Sequence, residues 1–489
     1  MRERLPSVPG APAVLAALEG SWQEWARSAG IPPGTPYLIS PALIYDVELN
    51  EFFYSADMLG CRSATRLGYA RDLAAFLSFL HRSRGGRGWR DATEDDHTAY
   101  LVWRLYDSAG PRVSGGTWDR EVSGVNRFYR WQAERGNVAG NPVPQRPRRR
   151  RPAGVSDHSG ANGAETPATY SHGARAGRIC WFPAASYRQW REIGVRGYGR
   201  DGLPDPRFRG RWAARNAVFC DLMVRTGLRL AEQAALTIFE VPLDRGIAGY
   251  QKFWLPPVIA KGGSARWAYA PASVVADLAV YAEIDRRDVI ADAQARGRYA
   301  RLGWPVLVAD RERRFARAYD AGNGETLKIS QLSAGERRRL LVEGPGGLEP
   351  AAFWLSEEGL PVSPSTWKNM FANANARCTR HGLELHAHAH LLRHTFAVLT
   401  LEQMQRGHIA ALAELNPQQR GHYTRIFGDP LDWVRRRLGH ASITTTQIYL
   451  HALEELEMET RMTLVPDSWE DPRDTPPGQL ADDAGLVAG

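Results

Sequence analysis

"LGHASITTTQIYLHA", Leu438–Ala452, sets a Gly-His pair and a tyrosine on either side of a threonine run. The local reading is a helix start: serine and threonine cap a first turn, and Ile443, Ile448 and Leu450 face a core. On that reading Tyr449 is one more half-buried aromatic. The other reading makes its hydroxyl a nucleophile, which requires groups elsewhere in the chain that grip an electrophile and release a leaving group.

Such groups occur upstream. Arg229 in "TGLRLAE" follows a helix break, and Arg393 stands in "HLLRHTFA". Two arginine forks can hold the non-bridging oxygens of a phosphodiester bidentately and stabilise the charge that builds there during attack. The leaving sugar oxygen needs a proton, which Lys supplies and Arg does not. Of 62 basic side chains only Lys252, Lys261, Lys328 and Lys368 are lysines, so Lys261 is retained against a strong arginine bias. "YQKFWLPPVIA" and "RWAYAPA" flank "KGGS" and predict a β-hairpin with Lys261 at its tip. His390, three residues before Arg393, and His440 can donate to a phosphate or move protons near neutral pH. Tyr449, with an unperturbed pKa of about 10, needs neighbouring cations to stabilise its phenolate. Taken singly, each residue also reads as an ordinary surface or core side chain.

Composition bounds these readings. A chain of 489 residues with 43% hydrophobic content can bury a large core, and its length suggests two or three domains. No uninterrupted apolar stretch reaches the roughly 18 residues that span a bilayer, and the N-terminus lacks a full signal-peptide pattern, so a cytoplasmic location without membrane association is expected. Cys61, Cys180, Cys220 and Cys378 are too scattered for a CxxC zinc site or a disulfide framework and read as reduced core residues. A formal charge of +8 suggests a polyanionic partner.

The chain divides into five expected parts. Residues 1–35, rich in Pro, Ala and Gly, form an arm. Residues 36–141 form a small α-helical domain, with Leu67, Leu73, Phe76, Leu77 and Leu80 on one helical face and Trp118, Val122, Val125, Phe128 and Tyr129 on another. Residues 142–177 form a basic, Pro/Gly-rich linker in which Arg146, Arg148, Arg149, Arg150 and Arg151 are candidate DNA contacts, or else a solvated tether. Residues 178–465 combine helices with a small antiparallel sheet, and 466–489 are an acidic tail. Helical segments resume near Ser273, an Arg-rich stretch at about 296–347 lacks a pattern, and the remainder is helical, including 390–401 and 431–438.

The boxes "TGLRLAEQAAL", "KGGSAR", "HLLRHTFA" and "LGHASITTTQIYLH", in that order and with His440 and Tyr449 nine positions apart, resemble those of the tyrosine recombinases, or phage integrase family. "TRLGYARDLAAFLSFL" and "GVNRFYRWQAERGNVAGNP" resemble that family's less specific N-terminal patterns, so the likeness runs over roughly residues 45–460. The resemblance implies a mainly α fold with a small antiparallel β-sheet: a SAM-like core-binding domain followed by a mixed α/β catalytic domain. It implies Arg229 and Arg393 as a phosphate clamp, Lys261 as general acid toward the 5′ oxygen, and His390 as an acid/base or phosphate contact. It makes His440 a phosphate donor, Tyr449 the residue joined to the 3′ phosphate, and Glu232 an orienting carboxylate. Neither ATP nor a metal is implied. The implied partners are double-stranded DNA, a tetramer of this chain on paired DNA sites, and accessory DNA-bending or directionality factors. A helix beside the tyrosine, with Leu450, Leu453, Leu456 and Met462 on one face, would dock either on a neighbouring protomer or on its own domain.

Integrase, transposase, topoisomerase-like enzyme and non-catalytic DNA-binding relative all remain open at this point. The segments between Lys261 and His390 and between Arg393 and His440 are longer than in compact members and are expected to be solvated loops, with contacts to DNA or another subunit as the alternatives. "HAHAHLLRH" also offers a metal reading, its i, i+2 histidines fitting an extended strand, although no Cys or Glu of the usual zinc motifs completes it.

Overall fold

The computed structural model describes residues 30–147, 165–171, 179–413 and 429–453, apart from 32–33, 243, 245, 247, 303–304, 309–316, 321–324, 444 and 451. The chain is mainly helical with small sheets, and it forms two compact units, Met1–Gly177 and Arg178–Gly489.

The first unit is built on α1 (Ser63–Ser83), α2 (Glu94–Leu105) and α3 (Gly115–Glu134). Leu73, Phe76 and Leu80 of α1 meet Trp118, Val122, Val125, Phe128 and Tyr129 of α3 in a core closed by Tyr100. Leu67 is 42% exposed, contrary to its expected place on that face. Arg66, Ala70, Leu73, Phe76 and Leu80 recur at spacings of three and four and form the buried stripe, leaving Leu67 about 100° round the helix. The buried Tyr100 hydroxyl donates to Glu121, which Arg104 also pairs, so this carboxylate is satisfied rather than stranded.

Part of the expected linker is integral to this unit. The strands β1 (Gln145–Pro147) and β2 (Glu165–Pro167) pair antiparallel, and the chain after them returns to the helices. The Trp118 indole donates to the Thr169 carbonyl at 2.8 Å, and Ser171 N–H donates to Asp119 at 2.7 Å. Arg146 lies half-buried on β1; Arg148, Arg149, Arg150 and Arg151 lie outside the described residues, as do nearly all of the arm and the whole tail.

The second unit is layered around α5 (Ala213–Thr226), with α4 (Ala184–Gln189, continued by a π-helical stretch Trp190–Arg196), α9 (Pro364–Arg380) and α10 (Ala389–Ala413) sharing its core. Gly227 ends α5 with φ +65°, and α6 (Leu230–Ala234) follows. A Cβ on Gly227 would lie 2.3 Å from Phe396 Cδ1 and 3.1 Å from Leu438 Cδ2. Gly227→Ala is therefore expected to lower unfolding free energy by about 3 kcal/mol, from left-handed strain plus overpacking, measured by urea denaturation.

The hairpin of β3 (Tyr250–Leu255) and β4 (Arg266–Pro271) forms in register Trp254↔Trp267, but a ten-residue connection replaces the expected short turn, with Lys261 exposed within it. The following helices are α7 (Ala272–Tyr281) and α8 (Arg287–Ala295). The patternless stretch is not a loop. β5 (Val306–Val308), β6 (Arg317–Asp320), β7 (Glu325–Lys328), β8 (Leu340–Gly344) and β9 (Gly347–Pro350) make a five-stranded sheet in order β7-β6-β5-β8-β9, with β5 and β8 parallel. Its strands have three to five residues each, too short to display a period of two. The Arg393–His440 segment is likewise partly helical, since α10 runs on to Ala413 before α11 (Pro430–Leu438).

Among the described residues no helix is long and apolar enough to cross a membrane. Of the four cysteines, Cys220 and Cys378 are buried and Cys61 is partly buried; Cys180 is exposed, so it is not a core residue.

Candidate active site

Glu232 organises the first half of the site. Arg229 caps α6, its N–H donating to Glu232 Oε2 at 3.0 Å and its Nη1 to Oε1 at 2.9 Å. The Lys261 N–H reaches the same Oε1 at 3.2 Å, and Arg266 Nη2 donates to Oε2 at 2.6 Å. Burial alone would raise this carboxyl, but the hydrogen bonds and charge of Arg266, followed by Arg229, bring it down to about 2. One buried carboxylate thus fixes the Arg229 guanidinium and the Lys261 backbone side by side, with the Lys261 side chain exposed.

Arg393 ties this half to the other. It is 1% exposed, and its guanidinium donates to the carbonyls of Gly227 and Leu438, so it bridges the turn before Arg229 and the turn before His440. Arg266 adds a second tie through Nε to the Arg437 carbonyl at 2.8 Å. Burial first, then the nearby Arg229 charge, lowers Arg393 to about 9, so it remains a cation near neutral pH.

The threonine run has a specific use. Thr446, fully buried, places Oγ1 3.0 Å from His440 Nδ1 and so aims that ring. Helical residues 445–450 then bring Tyr449 beside it, with the two rings nearly parallel at 6.4 Å. Ile443, expected in the core, is 40% exposed because it precedes this helix rather than lying on its inner face. Leu450 and Leu453 pack on this chain's own core with Phe396, Val434 and Leu438; Leu456 and Met462 lie outside the described residues.

Tyr449 is 1% exposed, and its hydroxyl lies 2.9 Å from His394 Nδ1. His394 is the residue that motif reading passed over. It follows His390 by four positions on α10, so the rings meet edge to face at 4.3 Å, and that i, i+4 spacing was the available signal. His386 and His388 precede the helix in irregular chain, not in the strand their spacing suggested. The His388 Nδ1 instead accepts the Leu391 N–H at 3.2 Å, which helps cap the start of α10.

Electrostatics decide who holds the tyrosine proton. Burial pushes Tyr449 up to about 12, against the opposing pull of Arg393 and Arg229. Burial and the charges of His390 and Arg393 push His394 down to about 4. Both shifts oppose transfer from Tyr449 to His394, so the pair is an intact hydroxyl hydrogen-bonded to a neutral ring. His440 is brought down to about 3 by burial, Arg393 and Arg229, and His390 is lowered by burial and by Arg393, His388, Arg229 and Lys261. All six sequence-predicted residues, Arg229, Lys261, His390, Arg393, His440 and Tyr449, therefore converge on one place.

The model of the phage integrase N-terminal SAM-like domain matches residues 58–136, within the three-helix unit. Tyrosine recombinase XerC of Lactobacillus delbrueckii is 22% identical over 398 residues, covering 81% of this chain and 91% of that protein. The chain is thus similar to tyrosine recombinases over most of its length. XerC of Xylella fastidiosa is 29% identical over 133 residues, a match that spans 37% of the relative's length and 25% of this chain. A solved structure of XerH bound to a palindromic difH substrate aligns over 86% of this chain and 90% of that one at 14% identity, with a TM-score of 0.44.

Proposed function

We propose that this chain is a site-specific DNA recombinase that cuts and rejoins duplex DNA through a 3′-phosphotyrosine. The convergence of two arginines, a lysine, three histidines and a tyrosine on one site carries this reading. Arg229 and Arg393 hold the non-bridging oxygens of the scissile phosphate, with His390 and His440 as further donors. The Tyr449 oxygen forms a bond to phosphorus, the bond from phosphorus to the 5′ oxygen breaks, and Lys261 gives that oxygen a proton. The proton of Tyr449 passes to solvent water as its oxygen bonds to phosphorus, so one proton leaves the tyrosine for each one that Lys261 delivers to the 5′ oxygen. The bond energy stays in the phosphotyrosine, so a 5′-hydroxyl can reverse the step on the same or a new strand without nucleotide hydrolysis. A tetramer on paired sites is part of the proposal, and the cytoplasm is its place of action. The test is a nicked suicide duplex, taken from a randomised pool selected by binding: a covalent protein–DNA band on a denaturing gel supports the reading, and its absence overturns it.

The linker is assigned to non-specific backbone contact. Replacing Arg148 to Arg151 with alanine is expected to weaken binding to all duplex sequences alike and to flatten the dependence of affinity on salt by up to about four phosphate contacts. Fluorescence anisotropy between low and moderate salt measures the slope; an unchanged slope would reduce the run to a tether.

A further inference from the structure

The β3–β4 hairpin has an outer face that the six-residue site does not use. Phe253, Leu255, Ala268 and Ala270 point into the core, so the alternation turns Lys252, Trp254, Trp267 and Tyr269 outward. Trp254 and Trp267 are 41% and 44% exposed and meet edge to face at 5.1 Å. Exposing two paired indoles costs hydrophobic free energy, and the position of this pair gives a reason for it. A cavity of about 580 Å³ opens between them and α11, lined by Tyr269, Trp433 and Arg437 and also by Lys261 and His440. The Arg437 guanidinium is pinned 3.6 Å from the Tyr269 ring and 4.4 Å from Trp433, its Nη1 donating to the Trp267 carbonyl at 3.2 Å. Arg435 and Arg436 join the lining, both paired with Asp432 on the same helix.

We propose that this cavity receives the unpaired 5′-terminal nucleotides of the strand released at the cleavage point. Phosphate recognition explains the arginines but not the indole faces, which gain from a flat partner only where bases have left the stack. A duplex loses its stacking where one strand has been broken. The proposal rests on the function proposed above, in which Lys261 protonates the departing 5′ oxygen; the new 5′ end then starts at the cavity. An apolar protein segment fits the lining poorly, because its five cations outnumber the two carboxylates, Glu232 and Asp432, that pair with three of them, and the surplus selects a polyanion.

The binding experiment needs no strand cleavage. Tyr449→Phe protein is mixed with a duplex, selected as above, already nicked at the cleavage point and carrying either a paired 5′-hydroxyl end or three unpaired 5′ nucleotides. Trp254→Ala with Trp267→Ala is expected to lose about tenfold in affinity for the unpaired end and little for the paired one. Trp254→Phe with Trp267→Phe, which keeps flat rings, is expected to retain most of the preference and covers the case in which the alanine pair does not fold. With 5-iodouracil at the 5′-terminal position, irradiation is expected to cross-link Trp254, Trp267, Tyr269 or Trp433, located by mass spectrometry. Equal losses on both duplexes, no loss on either, or cross-links mapping elsewhere would overturn the proposal. Failure of the recombinase reading shows separately, as absence of a covalent band from the wild-type chain on the suicide duplex.

Discussion

Tyr449→Phe is expected to bind duplex DNA as the wild-type chain does and to form no covalent protein–DNA complex. The substitution removes one oxygen from a ring that is 1% exposed and packed among Phe396, Val434 and Leu438. The packing shape is kept, so the loss of the hydrogen bond to His394 costs about 1 kcal/mol of stability. Against that small structural cost stands a complete loss of the attacking group, which no neighbour replaces. Binding by gel shift and adduct formation on the suicide duplex separate the two effects. A covalent band from the phenylalanine variant would show that another residue attacks, and the site assignment would fall with it.

Lys261→Arg is expected to bind DNA normally yet cleave at least about a hundredfold more slowly, a typical contribution of general acid catalysis. The arginine keeps the charge and surrenders no proton near neutral pH. The fold tolerates the change because Lys261 is held through its backbone N–H to Glu232, with the side chain in solvent. The role is isolated by a substrate whose 5′ bridging oxygen is sulfur, a leaving group that needs little protonation. Sulfur should restore cleavage by the variant close to the wild-type rate. A variant equally slow on both substrates would make Lys261 an electrostatic contact instead of an acid.

The parts of this molecule legible in the sequence are those where chemistry or periodicity is local. Arg229 and Lys261 are marked by a helix break and a hairpin, and α1, α3 and α5 by long apolar stripes. Glu232 was legible as an orienting carboxylate, but its reach across to Lys261 and Arg266 depends on tertiary contacts that spacing alone does not specify. His394 was passed over because His390 already had a role, although the two stand one turn apart on α10. The sheet of β5–β9 was hidden because each strand is too short for alternation to register, and its parallel pair joins segments 34 residues apart, Val306 with Leu340. The buried stripe of α1 begins at Arg66 and not at Leu67, because an arginine's aliphatic stem can occupy such a position, which its polar head hides in the sequence.

The seclusion of Tyr449 bears on kinetics. A hydroxyl fully covered and tied to a neutral imidazole must be uncovered before it can meet a phosphate, so a rearrangement precedes bond making in every turnover. If that rearrangement is the slow step in the wild-type chain, a better leaving group will not hasten it, and the sulfur substrate that rescues Lys261→Arg will leave the wild-type rate nearly unchanged. The chain then keeps time by a conformational clock, and the chemistry of the broken bond sets the pace only after the proton donor is lost.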